Sequence, residues 1–378
     1  MQETTRLSLD NVADSLDKFS ARKLPQAQAA MSVADVQRAL TQIGFFPGGA
    51  ADGICGYRTL SAIRLFQEYV RTVEGHDLVP NGVCDAETQA HLQRWLASGA
   101  QPDWRPEPGE YEAWLALLEN VKQHHLTTPS RVIEMVNAYQ DRSDTRKVAD
   151  WDFTGPGNIH LIGVRRFESA RKYDDIFVLL INGLVFKFQG STEPGVTSNR
   201  AGPPHIVPGQ HNYHFGWHPG AVNLETPVVH RYLALRPLSS GVLTVRGEVD
   251  RPLNDADLAK GLEKNASINI HWGGRGMLRN NDWSEGCQVL NSLVYINPAN
   301  ELVSCEKYAA TFKREPLTDR DKTRGAYNVL VDLVTALSGD LPSNQVKYTM
   351  LMEADLALAP ALKQKLDADR DRALTIRG

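Results

Sequence analysis

Two eight-residue stretches of this 378-residue chain repeat one another, and a turn repeated in this way permits few folds. Asp52-Gly53-Ile54-Cys55-Gly56-Tyr57-Arg58-Thr59 and Asn81-Gly82-Val83-Cys84-Asp85-Ala86-Glu87-Thr88 both open on a dipeptide that favours a turn with positive φ. In each, a Thr falls close to the start of an apolar-periodic run. Ahead of the first turn, Ser32 is placed to cap a helix with Asp35 three residues on. Val33, Val36, Leu40 and Ile43 form one apolar stripe of that helix, which Gly44 and Pro47 end. Leu60, Ile63, Phe66 and Val70 mark a second helix, and Leu92, Trp95 and Leu96 a third. A turn-plus-helix unit repeated behind an initial helix implies a small three-helix bundle.

Val36-Gln37-Arg38-Ala39-Leu40, Gly44-Phe45-Phe46-Pro47, Asp52-Gly53-Ile54, Thr59, Ala62 and Phe66-Gln67 together resemble the three-helix peptidoglycan-binding module. The resemblance covers residues 32–97. It implies peptidoglycan, stem peptide and glycan, as partner, with Asp52, Gly53, Thr59, Asn81 and Gly82 as the module's marked positions. The sequence departs from the family at Cys55 and Cys84, where apolar residues are usual. Two readings stand: a pair of small buried hydrophobes, or a disulfide joining the equivalent turns in an oxidising compartment. Only a distance decides between them.

Composition narrows the partners. Charged residues make up 23% of the chain with a net charge of −4, and no basic block or arm suits a nucleic acid. No apolar run approaches the roughly 18 residues of a membrane span. Residues 1–20 are polar and carry no apolar core of a secretory signal, so a cell-wall or periplasmic site of action implies a removed leader or a non-classical route. Four scattered cysteines are too few for a disulfide scaffold or a paired-thiolate zinc site.

The remaining chain divides by period. Residues 1–31 are expected to hold a short amphipathic helix, over 11–23, and a connector. Residues 98–110, with Pro102, Pro106 and Pro108, are expected to form a linker. Over 111–157 a helical brace is expected: Tyr111, Trp114, Leu115, Leu118 and Val121 share one face, and a second helix runs over 129–139. From about residue 158 the pattern becomes that of strands, and the domain is expected to run to 353. Residues 176–181 and 184–189 flank Asn182-Gly183, a two-residue hairpin signal. Further strands are expected over 242–246, 267–271 and 346–353, with a helical insertion carrying Tyr327, Leu330, Val331, Val334 and Leu337. Cys305 falls in a stretch expected to be helical and structural, and 354–378 in a helical tail. The fold class is multi-domain α+β: an N-terminal three-helix bundle and a β-rich domain with helical additions.

The chemistry-bearing residues lie in the β-rich domain. Alternation in Ile268-Asn269-Ile270-His271 puts the isoleucines on one face and Asn269 with His271 on the other. The strand runs into Gly273-Gly274, where a ligand can approach the backbone. Beyond a polar loop, Ser284-Glu285-Gly286-Cys287 places a thiol beside a tight backbone, with apolar residues behind it. A thiol beside an imidazole ionises readily, because the thiolate–imidazolium pair stabilises both charges.

Ile270-His271-Trp272-Gly273 followed by Ser284-Glu285-Gly286-Cys287 resembles the catalytic signature of the L,D-transpeptidases. Residues 206–213 look like that family's strand with Pro208, Gly209 and Tyr213, and the resemblance spans about 158–291. It implies a cysteine enzyme, without metal or organic cofactor, that attacks a stem-peptide carbonyl as transpeptidase, carboxypeptidase or endopeptidase. Cys287 corresponds to the nucleophile and His271 to the base. The carbonyl near Trp272, or the Ser284 side chain, orients the imidazole, and N–H groups around Gly286 and Cys287 hold the oxyanion. Asn269, Gly273, Gly274, Arg275, Glu285 and Tyr213 are the expected substrate contacts. The family's His before the Gly is Glu285 here, and its Arg or Asn two positions after the cysteine is Val289, so Arg275, Arg279 and Asn291 are candidate replacements.

Two other readings compete. His205, His211, His214 and His218 invite a zinc site, but residues three apart on a strand face opposite sides, so His211 and His214 do not share a metal there. The other is a non-enzymatic wall anchor in a phage or secretion machine. As an enzyme, the chain would suit a phage lysin or an injected antibacterial effector, with an immunity or secretion-machine protein as partner.

Overall fold

The computed structural model describes residues 31–46, 48–154, 159–166, 173–195, 202–218, 232–249, 251–273, 286–305, 324–339 and 345–376. The helix expected over 11–23 lies outside the described residues, as does Pro47. In chain order the helices are α1 (Val33–Gln42), α2 (Tyr57–Thr72), α3 (Ala86–Ser98), α4 (Glu110–Thr127), α5 (Arg131–Ala138), α6 (Asp255–Leu258), α7 (Ala326–Leu337) and α8 (Pro360–Leu374). The strands before α6 are β1 (His160–Arg165), β2 (Asp175–Ile181), β3 (Leu184–Ser191), β4 (Pro204–Ile206), β5 (Gly209–His218), β6 (Tyr232–Pro237) and β7 (Val242–Arg246). After it come β8 (Glu263–Asn265), β9 (Ile270–Trp272), β10 (Gln288–Ile296), β11 (Leu302–Ser304) and β12 (Gln345–Met352).

The chain forms two compact units. The first takes the described residues up to Arg105, with those between Phe215 and Leu233 and between Lys307 and Asn344. Helices α1, α2 and α3 build it. Ser32 caps α1 in a reciprocal box with Asp35, as the spacing predicts. Asp85 caps α3 by accepting from the Thr88 N–H at 2.9 Å. The core is aromatic: Phe45, Phe66, Tyr69 and Trp95 meet edge to face, with centroids 5.2–6.0 Å apart. Trp104 stands edge-on to Tyr69 at 4.9 Å, so the Pro-containing segment after α3 is packed as far as this ring. Helix α7, which chain order assigns to the β-rich domain, lies in this helical unit against α2. There Arg64 donates two 2.7 Å hydrogen bonds to the buried Asp332 carboxylate. The periodicity of α7 records only its apolar face. The buried Asp332 is a polar contact that periodicity does not register.

The second unit is a closed sheet with helices on its outside. Strands run in the order β11-β10-β3-β2-β1-β12-β5-β6-β9, and β9 pairs in parallel with β10 to complete a barrel. The hairpin of β2 and β3 is built as the Asn182-Gly183 signal predicts, with φ of 49° and 79° at the two turn residues. Ile176, Val178 and Leu180 of β2 lie in one core cluster with Trp114, Leu117, Leu118 and Val121 of α4 and with Leu362 and Leu366 of α8. Phe177, between them in sequence, faces the other way and stacks on Tyr348 of β12 at 6.4 Å. A smaller sheet, β4-β7-β8, contains the expected 242–246 strand.

Two local expectations are corrected. The strand predicted over 267–271 begins only at Ile270, because the chain turns at Ala266 and Ser267 after β8 has paired with β7. Cys305 is not helical. It follows β11, is buried, and its N–H donates to the Leu293 carbonyl at 2.6 Å.

Candidate functional site

In the helical unit, the marked positions of the repeat form two equivalent hydrogen-bonded turns. Gln37, buried on α1, donates through Nε2 to Asp52 Oδ1 at 2.9 Å, the Ile54 carbonyl at 3.0 Å and Thr59 Oγ1 at 3.1 Å. Its Oε1 accepts from the Gly53 N–H at 2.9 Å. Gln67, on α2, repeats the arrangement with Asn81 Oδ1 at 3.3 Å, the Val83 carbonyl at 2.9 Å, Thr88 Oγ1 at 3.0 Å and the Gly82 N–H at 2.9 Å. Gly53 and Gly82 take φ of 76° and 81°, a region that only glycine enters cheaply. The polar atoms of Asp52, Thr59 and Asn81 are thus engaged in building the turns. Gln37 and Gln67, the residues on which both turns hang, carry no signal in the apolar stripe. Their signal is positional: each occupies the helix preceding a repeat of the turn.

No disulfide joins Cys55 and Cys84, or any other pair of the four cysteines. Burial, with Asp85 next in effect, pushes the Cys84 thiol up to about 12, so it stays protonated at neutral pH.

In the barrel unit, the residues singled out for chemistry sit where the sheet closes. Strands β9 and β10 align with Gln288 opposite Ile270 and Val289 opposite His271. The Gln288 side chain accepts from the Tyr348 hydroxyl on the inner side. Alternation therefore turns Val289 of β10 and His271 of β9 to the opposite face, with Cys287 and Asn269 standing directly ahead of the two strands.

The thiol is half-buried and held by backbone: Cys287 Sγ donates to the Ser267 carbonyl at 3.1 Å and accepts from the Asn269 N–H at 3.3 Å. The turn at Ser267 that shortens β9 is thus what brings its carbonyl to the sulfur. Gly286 is required by its surroundings, since a Cβ there would lie 2.6 Å from Pro204 Cγ and 2.9 Å from Ile268 Cδ1. His271 is buried, and its Nδ1 lies 2.8 Å from the Trp272 carbonyl. A carbonyl only accepts, so Nδ1 bears the proton and Nε2 the basic lone pair. Burial pushes the imidazole down to about 4, against the opposing pull of that carbonyl.

Other expected contacts take supporting places. Tyr213 is fully buried and donates to the Ile268 carbonyl at 3.0 Å, and its phenol is raised well above the usual range by burial. The Gly273 carbonyl accepts from the Tyr173 hydroxyl at 2.5 Å. Asn291 Nδ2 points to Gln189 at 3.4 Å, and Val289 is fully buried. Gly274, Arg275, Arg279, Ser284 and Glu285 lie outside the described residues. His211, from the histidine group considered for zinc, has Nδ1 at 2.9 Å from Thr145 Oγ1 and Nε2 at 3.0 Å from the Val207 carbonyl, so both ring nitrogens are engaged.

Among the described residues, no helix is long and apolar enough to cross a membrane. No curated protein matches the chain, and no solved structure does. Residues 31–92 match the family described as putative peptidoglycan binding domain. This match supports a peptidoglycan-binding module at 31–92 and points to peptidoglycan as a partner and to association with the cell wall.

Proposed function

We propose that the chain is a peptidoglycan-active cysteine enzyme in which Cys287 attacks a stem-peptide carbonyl and His271 serves as base. The reading is supported by the register that sets the start of β10, directly after Cys287, beside β9, which carries a neutral His271 with its Nδ1 on the Trp272 carbonyl. A wall-binding module in the same chain supplies the substrate class. In the reaction, the thiol proton passes to His271 Nε2 as the Cys287–carbonyl bond forms, and the leaving amine takes that proton as the peptide bond breaks. Water resolving the thioester gives trimming, and an amine acceptor gives a cross-link. The N–H groups near Gly286 and Cys287 are the oxyanion donors in this scheme.

The test is mass spectrometry of muropeptides from purified sacculi incubated with wild-type protein and with Cys287→Ala. Shortened stems or new cross-links with the wild type alone are the expected result. Unchanged muropeptides with wall retention intact would replace the enzyme by a wall-anchoring protein.

A further inference from the structure

We propose that Glu74, His76 and His91 form a binding site for one zinc-class divalent cation on the surface of the wall-binding module. The three residues come from separate pieces of backbone: Glu74 and His76 from the turn that follows α2, and His91 from the middle of α3. Each offers one ligand atom, and the three atoms lie within 4.8 Å of one another. Around a tetrahedral zinc with bonds of about 2.0–2.1 Å, ligand atoms sit about 3.3 Å apart, so the side chains need to close by up to about 1.5 Å. His76 is half-exposed and has room for that adjustment.

The cluster is anchored rather than an accident of exposed side chains. Glu74 Oε1 accepts from the indole N–H of Trp95 at 2.9 Å, and Trp95 belongs to the aromatic core. The backbone N–H of His76 is tied to the Val70 carbonyl at 3.2 Å, and the two imidazole rings meet with centroids 4.6 Å apart. The cluster also already attracts a cation. The Arg94 guanidinium is ion-paired with Glu74 Oε2, and its Nη2 lies 3.3 Å from His91 Nδ1. Arginine only donates, so His91 Nδ1 presents a lone pair toward the cluster, as metal ligation would need. The half-exposed Arg94 side chain can swing into solvent and yield its position to a metal.

The donor set selects the cation. Two imidazoles and one carboxylate suit zinc and its borderline neighbours, and disfavour magnesium and calcium, which require more oxygen ligands. Three protein ligands leave a fourth position for water or for an anionic group of the wall.

The test is calorimetric titration of the full chain, stripped with chelator, using zinc chloride and then magnesium chloride. Wild-type protein is expected to bind one zinc ion, and His76→Gln and His91→Gln each to bind it at least about tenfold more weakly. Arg94→Ala, which removes the competing cation, is expected to tighten zinc rather than weaken it. Circular dichroism in chelator checks that each variant is folded. Zinc binding that persists unchanged in both histidine variants, or that weakens in folded Arg94→Ala, overturns the proposal. A titration of wild type in which zinc binds no better than magnesium does so as well.

Discussion

His271 sets the pH behaviour of the proposed chemistry. Its imidazole sits among buried residues, where the charged form loses hydration, and its folded pKa falls to about 4 from an ordinary 6.5. The ring is therefore neutral, with a usable lone pair, throughout the range in which an exposed histidine would be titrating. The rate of stem-peptide attack is expected to show no acid limb near 6.5 and to hold down to about pH 5, where the barrel unit begins to unfold, read from initial rates. A limb at 6.5 would mean that the reacting base is a solvated imidazole and not this one. His271→Gln should lower the rate by at least about a hundredfold, the usual contribution of a positioned general base. The pairing of this ring with the Trp272 carbonyl was legible from the motif, whereas its full burial was not. Burial depends on what packs over β9, and a three-residue strand says nothing of that.

At the scale of elements, the helical unit is governed by its two turns. Each is closed by a glutamine amide that uses both its oxygen and its nitrogen inside the fold. Gln37→Ala or Gln67→Ala removes the amide that holds a turn carbonyl, a Thr hydroxyl and a glycine N–H to the preceding helix. Each is expected to cost about 2–3 kcal/mol, measured as a lowered transition of the helical unit in denaturant. Loss of wall retention should accompany it. An unchanged transition would show that the turns hold themselves by glycine geometry alone. The hairpin Asn182-Gly183 and the capping box at Ser32 were legible because their partners lie within four residues. Strand β10 was not, since all nine of its residues are buried and a strand covered on both faces has no polar alternation to detect.

For the molecule as a whole, buried histidines dominate the response to acid. Burial lowers His160 and His271 to about 4 and His205 and His211 to about 3, all within the barrel unit. A base whose folded pKa lies below its unfolded value gives stability that is complete above pH 6.5 and is lost as pH falls through the folded value. Each group then contributes a slope of about 1.4 kcal/mol per pH unit in that window. Asp175 acts in the opposite sense: burial raises it to about 7, so its contribution is lost as pH rises. His125 Nε2 and Asp355 Oδ1 lie 3.6 Å apart, and burial shifts the two groups in opposing senses that offset one another. Four imidazoles against one carboxyl leave a net loss on acidification. The barrel unit is expected to unfold below about pH 5 while the helical unit persists, seen as a biphasic acid titration by circular dichroism. A single transition near pH 2 would contradict it.

The sequence alone determined what depends on neighbours along the chain. The three helices, the Ser32 cap, the repeated turns, the two-residue hairpin and the apolar face of α4 all follow from residues a few positions apart, whose geometry is the same in any surroundings. The wall-binding module follows from the same kind of evidence, because its motif is short and local. Tertiary structure decided what depends on residues far apart in the chain. The parallel pairing of β9 with β10 closes the barrel and sets the start of β10, directly after Cys287, beside the strand of His271. The salt bridge between Arg64 and Asp332 holds α7 to the helical unit, although chain order suggested the other. Glu74, His76 and His91 converge only once α2 and α3 are packed. Each of these rests on contacts between residues far apart in the chain, and such contacts leave no periodic trace because a polar residue has the same identity in the core and on the surface.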